Sequence, residues 1–409
     1  VTTQALVEDW AGEIYTLKGR IRDCFKRVEV RERAIGYIKG LLSTVERKNG
    51  WQLAEQMGES TPDGTQRLLN GSVWDVEGVR QALVQWVVEE LGNEAGVLVI
   101  DETGFLKKGR HSAGVKRQYS GTAGRIENSQ IGVFLAYASG EDYTLLDREL
   151  YLPEEWAKDT QRRQQAGIPE SVTFATKPVL ARQMLERAFT AGVPARWVTA
   201  DSIYGSDGKL RRFLEERGQA YVLAVTKAQD VWYGFEQQAV ETLAATVSDS
   251  GWQRLSCGEG AKGERFYDWS LILLPRWLPV ENYFAAVLTR RSLSDGDLAY
   301  FLVFGPLGTS LDSLVRVAGS RWKVEECFQL AKSQVGLDQY EVRHWTGWYR
   351  HITLSMLALA FLTILRRRTS LDQRPKKRRG RPPRASRQAQ RSRNPSLAGA
   401  SGVDPTNAA

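Results

Sequence analysis

Two short apolar runs that each end in an aspartate constrain this chain more than anything else in it. Val97-Leu98-Val99-Ile100 leads into Asp101, and Trp197-Val198-Thr199-Ala200 leads into Asp201. Continuous β-branched and apolar runs of this length are the pattern of strands buried on both faces. A carboxylate at the end of such a strand is costly unless it meets a cation, so acids placed there coordinate a metal or pair with a base. If the two strands are neighbours, both carboxylates project from one sheet edge and can bridge two divalent cations about 3.5–4 Å apart. The plainer role for either aspartate is to cap the turn that follows it.

The segments around these runs supply a fold. Ile131 to Tyr137 reads as a second strand and Tyr143 to Leu152 as a third, alternating around Asp147 and Glu149. A helix with Pro178 near its start carries Leu180, Met184, Leu185, Ala188 and Phe189 on one face and closes at Gly192. After the strand to Asp201 come a helix from Lys209 to Glu216 and a strand from Tyr221 to Val225. Three strands, a helix, a strand, a helix and a strand is the order of a ribonuclease H-like α/β domain. The expected fold is therefore a mixed five-stranded sheet with flanking helices, with residues 93–225 as its first part. Residues 226–310 read as a β-rich insertion, with strand candidates at 265–274, 283–289 and 298–304. Residues 311–365 return as helices.

Residues 1–92 precede this as an all-α domain. Trp51 to Gly58 reads as a short helix ending in a glycine turn, and Thr61-Pro62 starts a second that runs through Leu68 and Leu69. Ala54 with Gly58 four residues later suits a helix-turn-helix, although any small helical bundle shows the same spacing.

Charge narrows the partner. The net charge is +8, yet residues 366–409 carry 13 Lys/Arg against Asp372 and Asp404, so the body is close to neutral. A basic tail on a near-neutral body points to a polyanion, nucleic acid first, or more plainly to a solubilising appendage. Rich in Arg, Pro, Ser and Gly, residues 366–409 are expected to be disordered. Cys24, Cys257 and Cys327, with His111, His344 and His351, form no metal-ligand spacing, which excludes a zinc site and fits a reducing cytoplasm. The start of the chain shows no charged-then-apolar leader. The longest apolar run, Ile352 to Leu365, is shorter than the ~20 residues of a membrane span and reads as a core helix. A cytoplasmic protein with no membrane partner is expected.

A third acid stands out on a helix. At ~100° per residue, Arg321, Glu325, Phe328 and Lys332 fall in one stripe, beside an apolar arc of Val324, Cys327, Ala331 and Val335. A glutamate bordering the buried face, with a cation one turn before and another two turns after, suits a site wall in which the acid takes metal and the cations take phosphates. A solvated salt-bridge ladder has the same spacing. On the same geometry Glu326 is expected to point to solvent.

Four segments together carry a resemblance: Asp101 to Gly109, Arg117 to Gly124, Ala200 to Gly205 and Arg321 to Lys332. Over nearly the whole chain to about residue 365, the protein resembles bacterial insertion-sequence transposases of the DDE endonuclease superfamily. Arg321, Glu325 and Lys332 fit the Arg-Glu-Lys part of that family's Tyr-Arg-Glu-Lys signature, while the Tyr position is Ala318. The resemblance implies an enzyme that cuts at the terminal inverted repeats of an insertion sequence and joins the 3′ ends to target DNA. It implies Asp101, Asp201 and Glu325 as catalytic metal ligands for Mg²⁺, with Mn²⁺ able to substitute. It also implies double-stranded DNA as partner and a homodimer in the DNA complex of a nucleoid-associated bacterial protein.

Further expected DNA contacts are Arg321, Lys332 and Trp322, the last where some relatives stack a flipped base, although a tryptophan there can equally pack against the core. The loop after the first acid adds Lys107, Lys108, Arg110, Lys116 and Arg117. In the tail, Arg379 and Arg381 flank Gly380 in an Arg-Gly-Arg-Pro segment that resembles an AT-hook for the minor groove or, more plainly, binds phosphates without specificity. The rival functions are a catalytically inactive, transposase-derived DNA-binding regulator and a metal-dependent nuclease without strand transfer.

Overall fold

The structure, a computed structural model, describes residues 3–260 and 263–372. Five helices open the chain: α1 (Thr3–Arg20), α2 (Val28–Leu42), α3 (Gly50–Gln56), α4 (Asp63–Asn70) and α5 (Val76–Leu91). Asn49 caps α3 by accepting from the backbone N–H groups of Trp51 and Gln52, and Asp75 caps α5 through Gly78 N–H. Gly58, with a positive φ, makes the turn between α3 and α4.

Four strands follow, β1 (Val97–Leu106), β2 (Lys116–Ser120), β3 (Arg125–Ser139) and β4 (Asp142–Leu150). Next come α6 (Glu154–Lys158), α7 (Thr160–Gln165), α8 (Lys177–Thr190), β5 (Trp197–Ala200), α9 (Ser202–Gly205), α10 (Gly208–Glu216) and β6 (Ala220–Val225). A small hairpin, β7 (Asp230–Tyr233) and β8 (Glu236–Ala239), leads through α11 (Val240–Ala244) to β9 (Gln253–Gly260), β10 (Gly263–Leu274), β11 (Tyr283–Arg291) and β12 (Leu298–Pro306). Three helices complete the described chain: α12 (Leu311–Ser320), α13 (Trp322–Val335) and α14 (Trp345–Asp372).

In the central sheet β4 pairs with β3, β3 with β1, β1 with β5 and β5 with β6. The first two pairings are antiparallel and the last two parallel. This is the ribonuclease H-like order, and the protein has that mixed α/β fold. Two extensions go beyond five strands. β2 adds to the far end of the long β3, and β12, β11, β10 and β9 continue the sheet antiparallel from β6. Residues 226–310 thus interrupt the sheet in sequence but lengthen it in space. The Tyr221 and Phe304 rings pack, tilted, across that β6–β12 seam, which closes it with apolar surface.

α14 is the axis of the fold. It packs on β4 and also on α2, α4, α5 and α13, so the N-terminal helices and the sheet share one core. By length and composition its residues 345–370 are enough to cross a membrane, but 89% of their apolar 18-residue window is buried inside the fold. α14 also corrects the expected start of the tail. Helix continues past Leu365 to Asp372, because Arg366 and Arg367 pair with Asp142 at 3.3 Å and Arg368 pairs with Glu90 and Glu13. A run of arginines read alone looks solvated; here each one has an acid waiting on another element. The remainder of the basic tail, with Arg379 and Arg381, lies outside the described residues.

Charge is also built into the core where α5, α8 and α14 meet β4. The buried Arg148 donates to Glu77 at 2.7 Å and to Thr353 at 3.0 Å, and lies over the Tyr349 ring. The buried Asp147 accepts from Arg187 at 2.8 Å and Arg80 at 3.4 Å. Burial pushes the Glu77 carboxyl up, but the Arg148 and Arg80 guanidiniums outweigh that and bring it down to about 2. Glu77 is half-exposed and keeps Arg80, so losing the Arg148 hydrogen bonds costs roughly 1.5–3 kcal/mol, less than breaking a fully buried pair. Arg148→Met should therefore lower the unfolding free energy by about that much, read as a shift of the urea midpoint. The Glu77 contribution is present above the ordinary carboxylate pKa and is lost as pH falls towards 2, so the gap between wild type and variant should narrow in acid. A gap that stays constant down to low pH, or a loss within the usual surface range, would remove this network from the account of stability.

Candidate active site

The register of β1 against β5 runs from Val97 opposite Trp197 to Ile100 opposite Ala200 and stops there. β1 continues as far as Leu106 along β3, so Asp101 lies within a strand and not at its end. On the other flank β5 gives way at Asp201 to α9, and a gap opens beside both acids. Asp201 accepts from Ile203 N–H at 2.9 Å and so caps α9, while Asp101 accepts from Glu102 N–H at 2.8 Å. Capping and site chemistry are therefore not alternatives for Asp201, because a carboxylate has acceptor capacity left over.

α9 can lie this close against β6 because its last residue is glycine. A Cβ at Gly205 would stand 1.8 Å from the Ala224 carbonyl of β6, which explains the glycine of the Asp201 to Gly205 segment. Gly104 serves the other side, where a Cβ would meet Ser120 Oγ at 2.2 Å and push the β2–β3 hairpin off β1. Held in place, that hairpin brings Thr122 to Thr103, and Lys332 donates to the two hydroxyls at 2.9 and 2.8 Å. Burial lowers the Lys332 pKa, and no carboxylate lies within ion-pair distance of its ammonium among the described residues.

Among the described residues, one acidic group places its carboxylate oxygens mutually within 4.8 Å: Asp101, Asp201 and Glu102. Burial first, and the neighbouring Asp201 charge second, push Asp101 up to about 7 against the pull of Arg321. Asp201 is raised by burial and by Glu102. Two acids held this close favour protonation or a bound cation. The donor set, hard oxygens at a partly buried edge, suits Mg²⁺ or Mn²⁺.

Glu325 stands one side chain away. Arg321 lies between, with Nη1 3.5 Å from Asp101 and Nη2 3.6 Å from Glu325, so a guanidinium fills the space separating the two acids. The helical stripe is as expected otherwise: Val324, Cys327, Phe328, Ala331 and Val335 are buried in α13, and Phe328 packs edge-on against Phe134. Glu326 is not the solvent-facing acid expected. It is half-buried, and its charge lies beside the Tyr143 phenol and helps raise that phenol's pKa, after burial. Trp322 is 39% exposed, with the Arg265 guanidinium 5.5 Å over its ring.

Glu102 is the site residue that sequence reading passed over. Alternation along β1 sends it to the face opposite Asp101. Its longer side chain nevertheless returns an oxygen to the cluster, where Lys177 of α8 donates to Oε1 at 2.5 Å and the buried Tyr204 hydroxyl donates to Oε2. The available signal was an acid directly following Asp101 and a tyrosine three residues after Asp201.

The loop after the first acid divides. Lys107 is not aimed at solvent: it lies 3.4 Å over the Tyr340 ring, donates to the Tyr340 carbonyl, and burial lowers its pKa to about 7. Lys116 is paired with Glu155 at 2.8 Å. Lys108, Arg110 and Arg117 are exposed, and none has an ion-pair partner among the described residues.

The chain belongs to the DDE superfamily endonucleases, whose family profile matches residues 20–251, more than half of it. A transposase DDE domain profile matches residues 175–361. The chain is 32% identical over 188 residues to a probable transposase for insertion sequence element IS701 from Microchaete diplosiphon, a match spanning 46% of each protein. It also overlays a cryo-EM structure of the piggyBac transposase synaptic complex with hairpin DNA with a TM-score of 0.42 at 13% identity, covering 83% of this chain and 67% of that one.

The strained charge of the acid cluster has a measurable consequence. An acid whose pKa is raised on folding opposes stability as pH rises from its ordinary value to the raised one. Asp101→Asn should accordingly stabilise the metal-free protein at pH 8, by on the order of a few kcal/mol, and have little effect near pH 4. Thermal unfolding in EDTA at the two pH values measures this, and equal effects at both would show that Asp101 is not held protonated at neutrality.

Proposed function

We propose that the protein is a DNA transposase that cuts at the terminal inverted repeats of its insertion sequence and joins the 3′ ends to target DNA. The observation that carries this reading is the pairing of Asp101 with Asp201 across the β1–β5 gap, in a chain of the DDE endonuclease family. Asp101, Asp201 and Glu325 are the proposed catalytic ligands of Mg²⁺, for which Mn²⁺ can substitute. When bound, the ions supply an activated attacking oxygen and a stabilised leaving oxygen for phosphodiester hydrolysis and transesterification. Asp101, with its pKa raised to about 7, presents a proton at low pH and a ligand oxygen above it.

The remaining residues position and exclude. Arg321 holds Asp101 and Glu325 together and, with those acids on a cation, would be free to meet a phosphate oxygen with its paired N–H groups. Lys332, fixed by Thr103 and Thr122 without an acid partner, offers a second phosphate contact. Trp322, exposed at the start of α13, is the proposed surface for an unstacked base, with Lys108, Arg110 and Arg117 on the flanking backbone. The N-terminal helices are the proposed reader of the terminal repeats, and two copies of the chain the proposed assembly on a pair of ends.

The test is Mg²⁺-dependent cleavage and strand transfer on the inverted repeats that flank the gene. Asp101→Ala and Asp201→Ala should lose both activities while keeping end binding. Glu325→Gln should also be inactive, since an amide is a poor ligand for a hard cation, and Glu326→Gln should keep most activity. Cleavage without joining by the wild type would make the protein a nuclease only. Near wild-type joining by either aspartate variant would end the three-carboxylate assignment.

A further inference from the structure

Three segments distant in sequence are tied together at the far end of β1. The β1–β2 loop is held to the α13–α14 loop by Ala113 N–H donating to the Arg343 carbonyl at 2.9 Å. The α13–α14 junction is held to the end of α7 by Trp345 N–H donating to the Ala166 carbonyl at 2.8 Å. Arg162 of α7 returns to the first loop, with Nη2 3.4 Å from the Arg110 carbonyl. The result is a patch that gathers Lys108, Arg110, His111, Arg162, Arg343 and His344.

The cations of this patch have no acid of their own. None of Lys108, Arg110, Arg162 and Arg343 has an ion pair among the described residues. Of the nearby carboxylates, Asp159 caps α7 at the Arg162 N–H and Glu155 pairs with Lys116, while Asp338 and Glu341 are exposed and form no ion pair with these four cations among the described residues. Arg162 is also preset, with its guanidinium 3.8 Å over the face of the buried Trp156, whose indole N–H is fixed on the Val115 carbonyl. Gathering like charges and stiffening one of them opposes folding unless a polyanion shares the surface.

We propose that this patch is a platform for the phosphate backbone of a DNA duplex, separate from the acid site and on the same side of the sheet end. The inference rests on the DNA-transposase reading and extends it to Arg162 and Arg343, two cations from elements that the acid motifs do not include. From Asp101 to Leu106 the strand advances roughly 17 Å, so a duplex laid along β1 meets the platform about five base pairs from the acids. Contacts there are to phosphates and set the register of the duplex without reading its sequence.

The experiment uses the full chain in EDTA and a short random-sequence duplex, with affinity followed by fluorescence anisotropy across a salt series. The Arg110→Ala/Arg343→Ala double variant should show a slope of log affinity against log salt shallower than wild type by about 1.8. Neither substitution touches the backbone bonds that tie the three segments together. The matched control is Arg254→Ala/Arg316→Ala, which removes the same charge from arginines already paired with Asp268 and Asp312. An unchanged slope in the platform variant, or an equal loss in the control, overturns the proposal. Mg²⁺-dependent cleavage by the wild-type protein is read in parallel. If cleavage is intact and the slope unchanged, the platform alone falls. If cleavage is absent and the slope falls as expected, the platform stands and the transposase reading falls.

Discussion

The parallel pairing of β1 with β5 decides where everything else in the site must go. Four fully paired positions bury Val97 to Ile100 against Trp197 to Ala200, and the pairing then stops at one residue before each aspartate. The stop matters as much as the pairing. Another step of ladder would carry the acids into a continuous sheet, where buried carboxylates have no access to a cation. Because β3 keeps β1 extended on the opposite flank as far as Leu106, the gap has one firm wall and one open side. This is the crevice at the carboxyl ends of parallel strands in which open α/β sheets bind their ligands.

Holding two acids at that edge works against folding, and the structure offsets it locally. Arg321 is the cation nearest to Asp101, but it does not hold the acid at an ordinary pKa. Glu102 adds a third negative group, which Lys177 and Tyr204 restrain. That restraint also ties β1 to α8 and to the turn after Asp201, so the gap between the aspartates is braced from both sides. Farther out, the Arg148, Asp147 and Arg187 network fastens β4 to α5, α8 and α14. Rigid layers around a strained edge are what a preorganised site requires.

Sequence reading recovered those parts of the site in which one-dimensional pattern and three-dimensional environment coincide. The strands before Asp101 and Asp201 are buried on both faces and therefore read as unbroken apolar runs. The α13 stripe follows from the helical period alone. It failed where tertiary neighbours decide. Glu102 was passed over, and strand alternation would have placed it away from the cluster, a rule about the direction of Cβ that a long side chain at a sheet edge can evade. Lys107 was counted as a solvent-facing cation because the Tyr340 ring that covers it lies 233 residues later. Glu326 was placed in water for want of knowing that Tyr143 stands beside it, and Arg366 to Arg368 were given to the tail because their acids sit on α1, α5 and β4.

Those errors share a cause that bears on how charge is used across the protein. Composition counts every cation as available to a polyanion, whereas the fold sorts them. Lys107, Lys116, Arg148, Arg187 and Arg368 are held by rings, carbonyls or acids and serve the architecture. Lys108, Arg110, Arg117 and Arg343 are left without acids, and Lys332 is fixed by hydroxyls only. Arg321 belongs to both groups, since it is an internal counter-ion as long as Asp101 and Glu325 have no other cation and a free guanidinium once they do. Under the proposed function Asp101 and Glu325 would hold the cation and Arg321 would then serve as a donor to the phosphate, so metal and phosphate binding would be linked through one side chain.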